Sequence, residues 1–537
     1  MKVFLVAVAA LVGADCWAGF GRSIYLDAME TAVGAYSDAR IERYVAENAR
    51  DGVAEHGFPR LAANIGILVA HGRQTSRTAM LRHMLEICFR DVGKAMRGKG
   101  GGNDFSVKEL VLALRELERA AVFDKSVVNK WRAQMTAAIA STIYSVQPAL
   151  GNKERAFNWC VYGAASEQAR IAAGMGGDSA YVERYVSDQL RWFDDNGMYM
   201  DPNMPMVYDM VTRLQFAAIL HLGYAGPSRD ALVSQFVRGA GPTLAMQSVT
   251  GEIPYGGRSN QFLHNDTFYA ALCEWYAAFF KSRGEIAVAR RFRGAAKRAM
   301  DSLSAWTNQH PVRHVKNRYP SESGYGCEGY AYFDKYMVTM GSWAYLAYMF
   351  ADDSIEPDAT AKDCEFTTSD AFHRTIINRG GYTVQLDWNA QHGYDANGVG
   401  RIQRKNAPSV ICLASPCPAD AHYRMDVTND IPFAIARIDG RIVRPEKVDE
   451  NGVVFNCGEG SATMMLPALL TDGETESVIR CDGSRLTVSF KGWKCDYRTN
   501  GRISDTGKVY GNRNGHYRRY DVSADTGLRV EVAIYRD

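Results

Sequence analysis

Between residues 339 and 388 the chain changes character once: TMGSWAYLAYMF (339–350) is followed by ADDSIEPDATAKD (351–363) and, after a short connection, by HRTIINRGGYTVQLDW (373–388). The first piece sets Met340, Trp343, Ala344, Ala347 and Phe350 at helical spacing. The last alternates Tyr382, Val384 and Leu386 with polar residues after a Gly380-Gly381 turn, the pattern of an antiparallel hairpin. A helix, an acidic linker and a hairpin in succession mark a boundary between two domains.

Upstream of that boundary the apolar period stays helical. Runs such as FPRLAANIGILVAHG, VKELVLALRELERAAVF, MVTRLQFAAILHLGY and FYAALCEWYAAFFKSRG follow one another with no strand pattern between them, giving roughly ten to twelve helices. Several end at Gly, and the longest loops fall after alternate helices, so helical hairpins arranged in a ring are expected, with the long loops gathered on one face. Downstream, GVVFNCGEG, SRLTVSFKGW and LRVEVAIYRD are short alternating strands divided by Gly, Asn and Asp turns. The expected fold is therefore a multidomain α + β chain: an N-terminal (α/α) toroid over 32–351, a linker over 352–366 and a C-terminal antiparallel β-sandwich over 367–537.

The first 18 residues read as a signal peptide, with Lys2, an apolar run to Ala14 and small residues near Ala18. This predicts a periplasmic or secreted protein with no membrane span after cleavage; a lipoprotein anchored at Cys16 is disfavoured by Asp15 before it. The remaining ten cysteines include no CxxC pair and no Cys/His cluster at zinc spacing, so neither metal nor cofactor is expected. Cys412 with Cys417, or Cys457, Cys481 and Cys495 across strands, could form disulfides, whereas Cys88, Cys160 and Cys273 belong to apolar helix faces. A net charge of +2 gives no electrostatic case for nucleic acid. In an exported protein, 28 Tyr and 9 Trp suit sugar rings, which stack an apolar face on aromatics while their hydroxyls find polar partners.

Chemistry concentrates in three places. The stretch GEIPYGGRSNQFLHNDTFYAALCE (251–274) sets Glu252, Arg258, Asn260, His264 and Asp266 around a Gly-Gly turn that opens onto a helix. Arg258 is the natural anchor for an anionic sugar, since a guanidinium fork pairs with a carboxylate at two points; a loop salt bridge is the plainer reading. Tyr208 and Asp209 begin a helix, with Arg213 one turn on to hold Asp209 ionised or to bind substrate; Asp209 could equally be a cap. In GYGCEGYAYFDKYM (324–337), Glu328 stands among Tyr325, Tyr330 and Tyr332, a setting that could raise its pKa into the range of a proton donor. Glu328, Asp209 and Glu252 are thus candidates for the pair of carboxyls a glycosidase needs. His264 is a further catalytic candidate, since β-elimination next to a uronate would use Arg258 and Asn260 as neutralisers and His264 with Tyr330 for proton transfer. The polar loop HGYDANGVGRIQR (392–404) is read first as a hairpin that seals the domain interface.

Three segments carry a resemblance: the helix from Asn158-Trp159 to Glu167, GMYMDPNMPMVYDMVTRLQFA (197–217) and IPYGGRS (253–259). They resemble the bacterial group called domain of unknown function 2264, associated with the β-glucuronidases of glycoside hydrolase family 154; after Ser259 this chain has NQFLHND in place of that group's aromatic continuation. The resemblance implies a toroid-plus-sandwich carbohydrate-active enzyme that hydrolyses uronic-acid-containing glycans, with Asn158 and Trp159 among its substrate contacts. A lyase of the same oligo- or polysaccharides, and a glycan-binding protein without activity, are the alternatives.

Overall fold

A computed structural model describes residues 20–94, 102–144, 158–202, 205–390, 397–414, 437–438 and 441–537. The signal-peptide reading, Cys417 and the His392-Tyr394-Asp395 part of the polar loop lie outside these residues. Among the described residues, fourteen α-helices precede the strands. They are α1 (Ser23–Gly34), α2 (Asp38–Asp51), α3 (Gly57–Ala70), α4 (Thr78–Asp91), α5 (Val107–Arg119), α6 (Lys125–Thr136) and α7 (Ala140–Ile143). The series continues with α8 (Asn158–Ala172), α9 (Ser179–Leu190), α10 (Met206–His221), α11 (Arg229–Met246), α12 (His264–Ser282), α13 (Ile286–Thr307) and α14 (Phe333–Phe350).

Packing turns this series into a closed ring. α3 lies against α5, α5 against α8, α8 against α10, α10 against α12, α12 against α14, and α14 returns to α3. Around these six inner helices stand α1, α4, α6, α9, α11 and α13, each packed on an inner partner, which makes an (α/α) toroid of six hairpin pairs. The distinction is legible in side chains. α2, which packs on α4 outside the ring, buries only Ile41 and outer α6 only Val128, Trp131 and Met135, whereas α3 is buried from Gly57 to Val69 and α12 almost throughout. A helix enclosed on every side must be apolar on every side, and any charge on it needs a fixed partner. Accordingly Glu274 of α12 meets Arg293 of α13 and the Tyr25 hydroxyl of α1, and Arg170 of α8 meets Glu167 at 2.6 Å.

The strands are all antiparallel. β1 (Cys364–Thr367), β2 (Arg374–Arg379), β3 (Tyr382–Asp387) and β4 (Gly398–Arg404) form one sheet in sequence order, and a six-stranded and a three-stranded sheet enclose a second core. Cys412 and Cys495 lie buried in that core beside the Tyr497 hydroxyl; they, Cys457 and Cys481 are free thiols, so the cross-strand bridges considered from sequence do not form. Cys88, Cys160 and Cys273 are buried in helices. No described helix is long and apolar enough to cross a membrane.

The β-domain grips the toroid by its loops. From the first sheet, Thr383 Oγ1 accepts from Val249 N, Gln385 bonds both the N–H and the carbonyl of Tyr255, and Arg401 reaches Glu252 and the Ile253 carbonyl. The turn 512–515, between strands Arg502–Gly511 and His516–Ala524, carries Arg513 to the Gly326 carbonyl and the Glu328 carboxylate. Gly326 has φ +76°, and a Cβ there would stand 2.6 Å from the Arg513 carbonyl oxygen, so only glycine admits this approach.

Candidate active site

The first turns of five inner helices, α3, α8, α10, α12 and α14, converge with the 256–262 loop on a cavity of about 370 Å³. Helix N-termini carry partial positive charge, so this end of the ring favours an anion before any side chain is considered. Arg60, Arg258 and Lys335 add three cations to the wall, each with a carboxylate behind it: Glu109 at 3.5 Å, Asp201, and Glu55 at 2.8 Å respectively. Tyr162, Tyr208, Tyr330 and Tyr336, the indoles of Trp159 and Trp343, and His56 and His264 complete much of the lining. None of the described lining residues is Asp or Glu.

Ser259 organises the tyrosines. Its φ of +59° is a left-handed conformation that costs a non-glycine residue of order 1 kcal/mol. The turn sets its Oγ 3.0 Å from the Tyr208 hydroxyl, 3.1 Å from Tyr330 and 2.7 Å from Tyr336. Gly257 before it has φ +79°, and a Cβ would fall 2.7 Å from Pro205 Cβ. Burial, with Tyr208 and Glu328 nearby, pushes the Tyr330 and Tyr336 phenols well above their ordinary pKa, so both stay protonated.

Arg258 lies over the Tyr208 ring, 4.4 Å from its centroid, and donates to the Pro202 carbonyl at 2.8 Å and to Asp201. Asp201 also accepts from Asn158 N and Nδ2, both at 3.0 Å, and burial outweighs Arg258 and Asn158 to raise its pKa to about 6. Burial, aided by Arg60 and His314, lowers His264 to about 3, so its imidazole is neutral. Four buried polar atoms of lining residues have no protein partner: His56 Nδ1, Asn158 Oδ1, His264 Nδ1 and Trp343 Nε1. Unengaged polar atoms at this density on one wall are what a polar ligand satisfies.

Of the residues singled out from sequence, Arg258, His264, Asn158, Trp159, Tyr208 and Tyr330 are brought together here. The others are placed elsewhere, for one reason: a buried charge or amide is taken up by whatever partner the fold supplies. Asp209 and Arg213 form a fully buried pair at 2.6 Å that also holds Tyr199 N and Thr243 Oγ1. Glu252 accepts from Lys316, Arg401 and Gln403; burial would raise its pKa, but the two cations outweigh it and keep the group ionised. Asn260 bonds the Pro254 carbonyl. Glu328 does lie near Tyr330 and Tyr336, but its carboxylate is taken up in an ion pair: Arg513 holds both its oxygens and Ser259 N donates to it.

The sequence reading missed His56, Arg60, Tyr162, Tyr336 and Trp343. Arg60 left a trace, being a cation in the apolar run FPRLAANIGILVA, where an enclosed helix needs a reason to carry charge. Tyr336 follows one helical turn after Tyr332 and gave no such signal. Among the described residues no group of three or more His, Cys, Asp or Glu is placed to hold a metal ion.

No family model matches the chain, and no curated protein does. Among solved structures it is similar to heparinase III at 9% identity and TM-score 0.42, over 96% of this chain and 85% of that one. A polysaccharide lyase aligns at 12% identity and TM-score 0.37, over 62% of this chain and 97% of that one. A glycosyl hydrolase family 88 protein from Bacteroides vulgatus aligns at 10% and 0.40, over 61% and 99%.

Proposed function

We propose that the protein is a carbohydrate-active enzyme that cleaves uronate-containing glycans by β-elimination in the toroid cavity. The observation that carries this is the composition of the wall: three cations, two histidines and four tyrosines, with no carboxylate among the described lining residues. Hydrolysis by the usual route needs two carboxyls flanking the scissile bond, and the candidates Asp209, Glu252 and Glu328 are each engaged in buried ion pairs. Elimination needs other parts. Arg258, with the helix N-termini, neutralises the uronate carboxylate and so acidifies the C5 proton. His264, neutral and with Nδ1 unengaged, accepts that proton, the uronate carboxylate bound beside it favouring the imidazolium that burial alone disfavours. The C5 electron pair becomes the C4–C5 double bond as the C4–O bond breaks, and the leaving oxygen takes a proton from Tyr330 or Tyr336, which burial keeps protonated. The Tyr208, Ser259 and Tyr336 hydroxyls, in hydrogen-bond contact, supply the path by which the donor is reprotonated.

The resemblance to the glycoside hydrolase family 154 group supports a uronate as the sugar recognised and hydrolysis as the second reading. The experiment that separates them is incubation of the full chain with uronate-containing polysaccharides, followed by ultraviolet absorbance and mass of the products. An absorbing, unsaturated non-reducing end is expected; a saturated product one water heavier would assign hydrolysis. Binding without either product would make the protein a glycan-binding one.

A further inference from the structure

On the outer flank of the molecule, α13 and the β-domain enclose a second cleft of about 650 Å³. It is separated from the central cavity by one loop, whose Val249–Glu252 end lines the cleft and whose Arg258-Ser259 end lines the cavity. Arg298, Asp301, Ser302, Ala305 and Trp306 line it at helical spacing, so one face of α13 forms its floor. Trp493 and Lys405 reach it from the β-domain.

Two of its cations, Arg298 and Arg318, are not matched as buried guanidiniums elsewhere are. Arg298 spends Nη2 on the amide oxygen of Gln247, and its buried Nε has no protein partner. Arg318, only 7% exposed, offers Nη2 to the Ala305 carbonyl at 3.4 Å and lies 4.6 Å from the Trp306 ring centroid, and its Nε is likewise unengaged. Neither forms an ion pair among the described residues, although buried guanidiniums elsewhere in this chain, Arg213, Arg170 and Arg293, all do. Burial accordingly pulls both below the ordinary arginine pKa, the nearest acidic groups failing to restore it. The three acids that line the cleft are already taken: Asp301 by Lys297, Asp472 by Lys491, and Glu252 by Lys316 and Arg401. Two under-compensated guanidiniums lining one cleft, with the Trp306 indole against Arg318 and Trp493 also in the lining, define a receptor for an anion that also has an apolar face.

We propose that this cleft is a second, non-catalytic binding site for an acidic saccharide, whose carboxylate pairs with Arg298 and Arg318 while Trp306 and Trp493 take the ring face. The choice of a saccharide rests on the proposed function, whereas the demand for an anion does not.

The test titrates sodium glucuronate, with glucose as neutral control and inorganic sulfate as a plain anion, into the full chain, reading tryptophan fluorescence and calorimetric heat. Glucuronate is expected to give a response that survives Arg258→Gln, is lost from the fluorescence of Trp306→Phe, and weakens at least about tenfold in R298Q/R318Q. Lys405→Gln, an exposed change that leaves the fold alone, should weaken it less and in the same direction. No response in the wild type, equal binding of glucose, sulfate binding without glucuronate binding, or a response abolished by Arg258→Gln and kept in R298Q/R318Q would each overturn the proposal. Turnover of uronate glycans is assayed in the same preparations. Cleft binding without turnover would count against the proposed function alone, and turnover without cleft binding against the second site alone.

Discussion

At the residue scale, this chain keeps its buried carboxylates in ion pairs and lines the toroid cavity with cations, histidines and tyrosines. His264 and Tyr336 touch the cavity and no ion pair depends on them, so His264→Ala and Tyr336→Phe are expected to lower turnover by roughly a hundredfold or more while shifting Tm little. Thermal melts beside product assays check this; equal losses of activity and stability would remove them from the chemistry. Asp201 gives a pH prediction. Its pKa is raised from 3.8 to about 6, so the folded protein holds that proton more tightly than the unfolded chain, and this group's contribution to stability falls as pH rises between those values. Protonation below about pH 6 also releases Arg258 from its ion pair. KM for an anionic substrate should therefore fall as pH drops through 6, and Asp201→Asn should remove that dependence, as a pH series of initial rates would reveal.

At the scale of elements, the tip of the hairpin around Arg513 acts as a bolt between domains. Arg513 and Glu328 are both withdrawn from water, and removing one partner of such a pair leaves the other charge buried and alone, at a cost of about 3–5 kcal/mol. Arg513→Ala and Glu328→Ala should each destabilise by that order, and the double mutant by clearly less than their sum. Denaturant unfolding of the four proteins measures this. Glu328→Gln should affect poor and activated leaving groups alike, because the group lies in the interface and offers no proton to the cavity.

At the scale of the whole molecule, the toroid is completed by the β-domain. The loop that presents Arg258 and Ser259 owes hydrogen bonds to Thr383, Gln385, Arg401 and Gln403, and Glu252 and Glu328 owe their cations in part to the same domain. A chain ending at Ala351 would leave these groups unpaired and the loop unsupported. It should be unstable or aggregate, and the full protein should melt in a single calorimetric transition. Two separate transitions would show that the domains are independent.

The period of apolar residues determined by itself that a helical domain precedes a β-domain, because burial on a ring of helices or on a sheet imposes 3.6 or 2 on the sequence directly. It also singled out the 251–274 stretch and the Tyr-rich loop, since Gly-Gly turns, Arg and clustered Tyr have few structural uses together, and the structure brings residues of both to the toroid cavity. What it left open was which charges face the cavity. Asp209, Glu252 and Glu328 look like catalytic carboxyls in a linear reading, yet their partners Arg213, Lys316 and Arg513 lie 4, 64 and 185 residues away, and two of those distances carry no local signature. Only ring closure and the docking of the β-domain decide the pairing. A buried carboxylate is held by the nearest fixed cation, and nearness is a property of the tertiary structure.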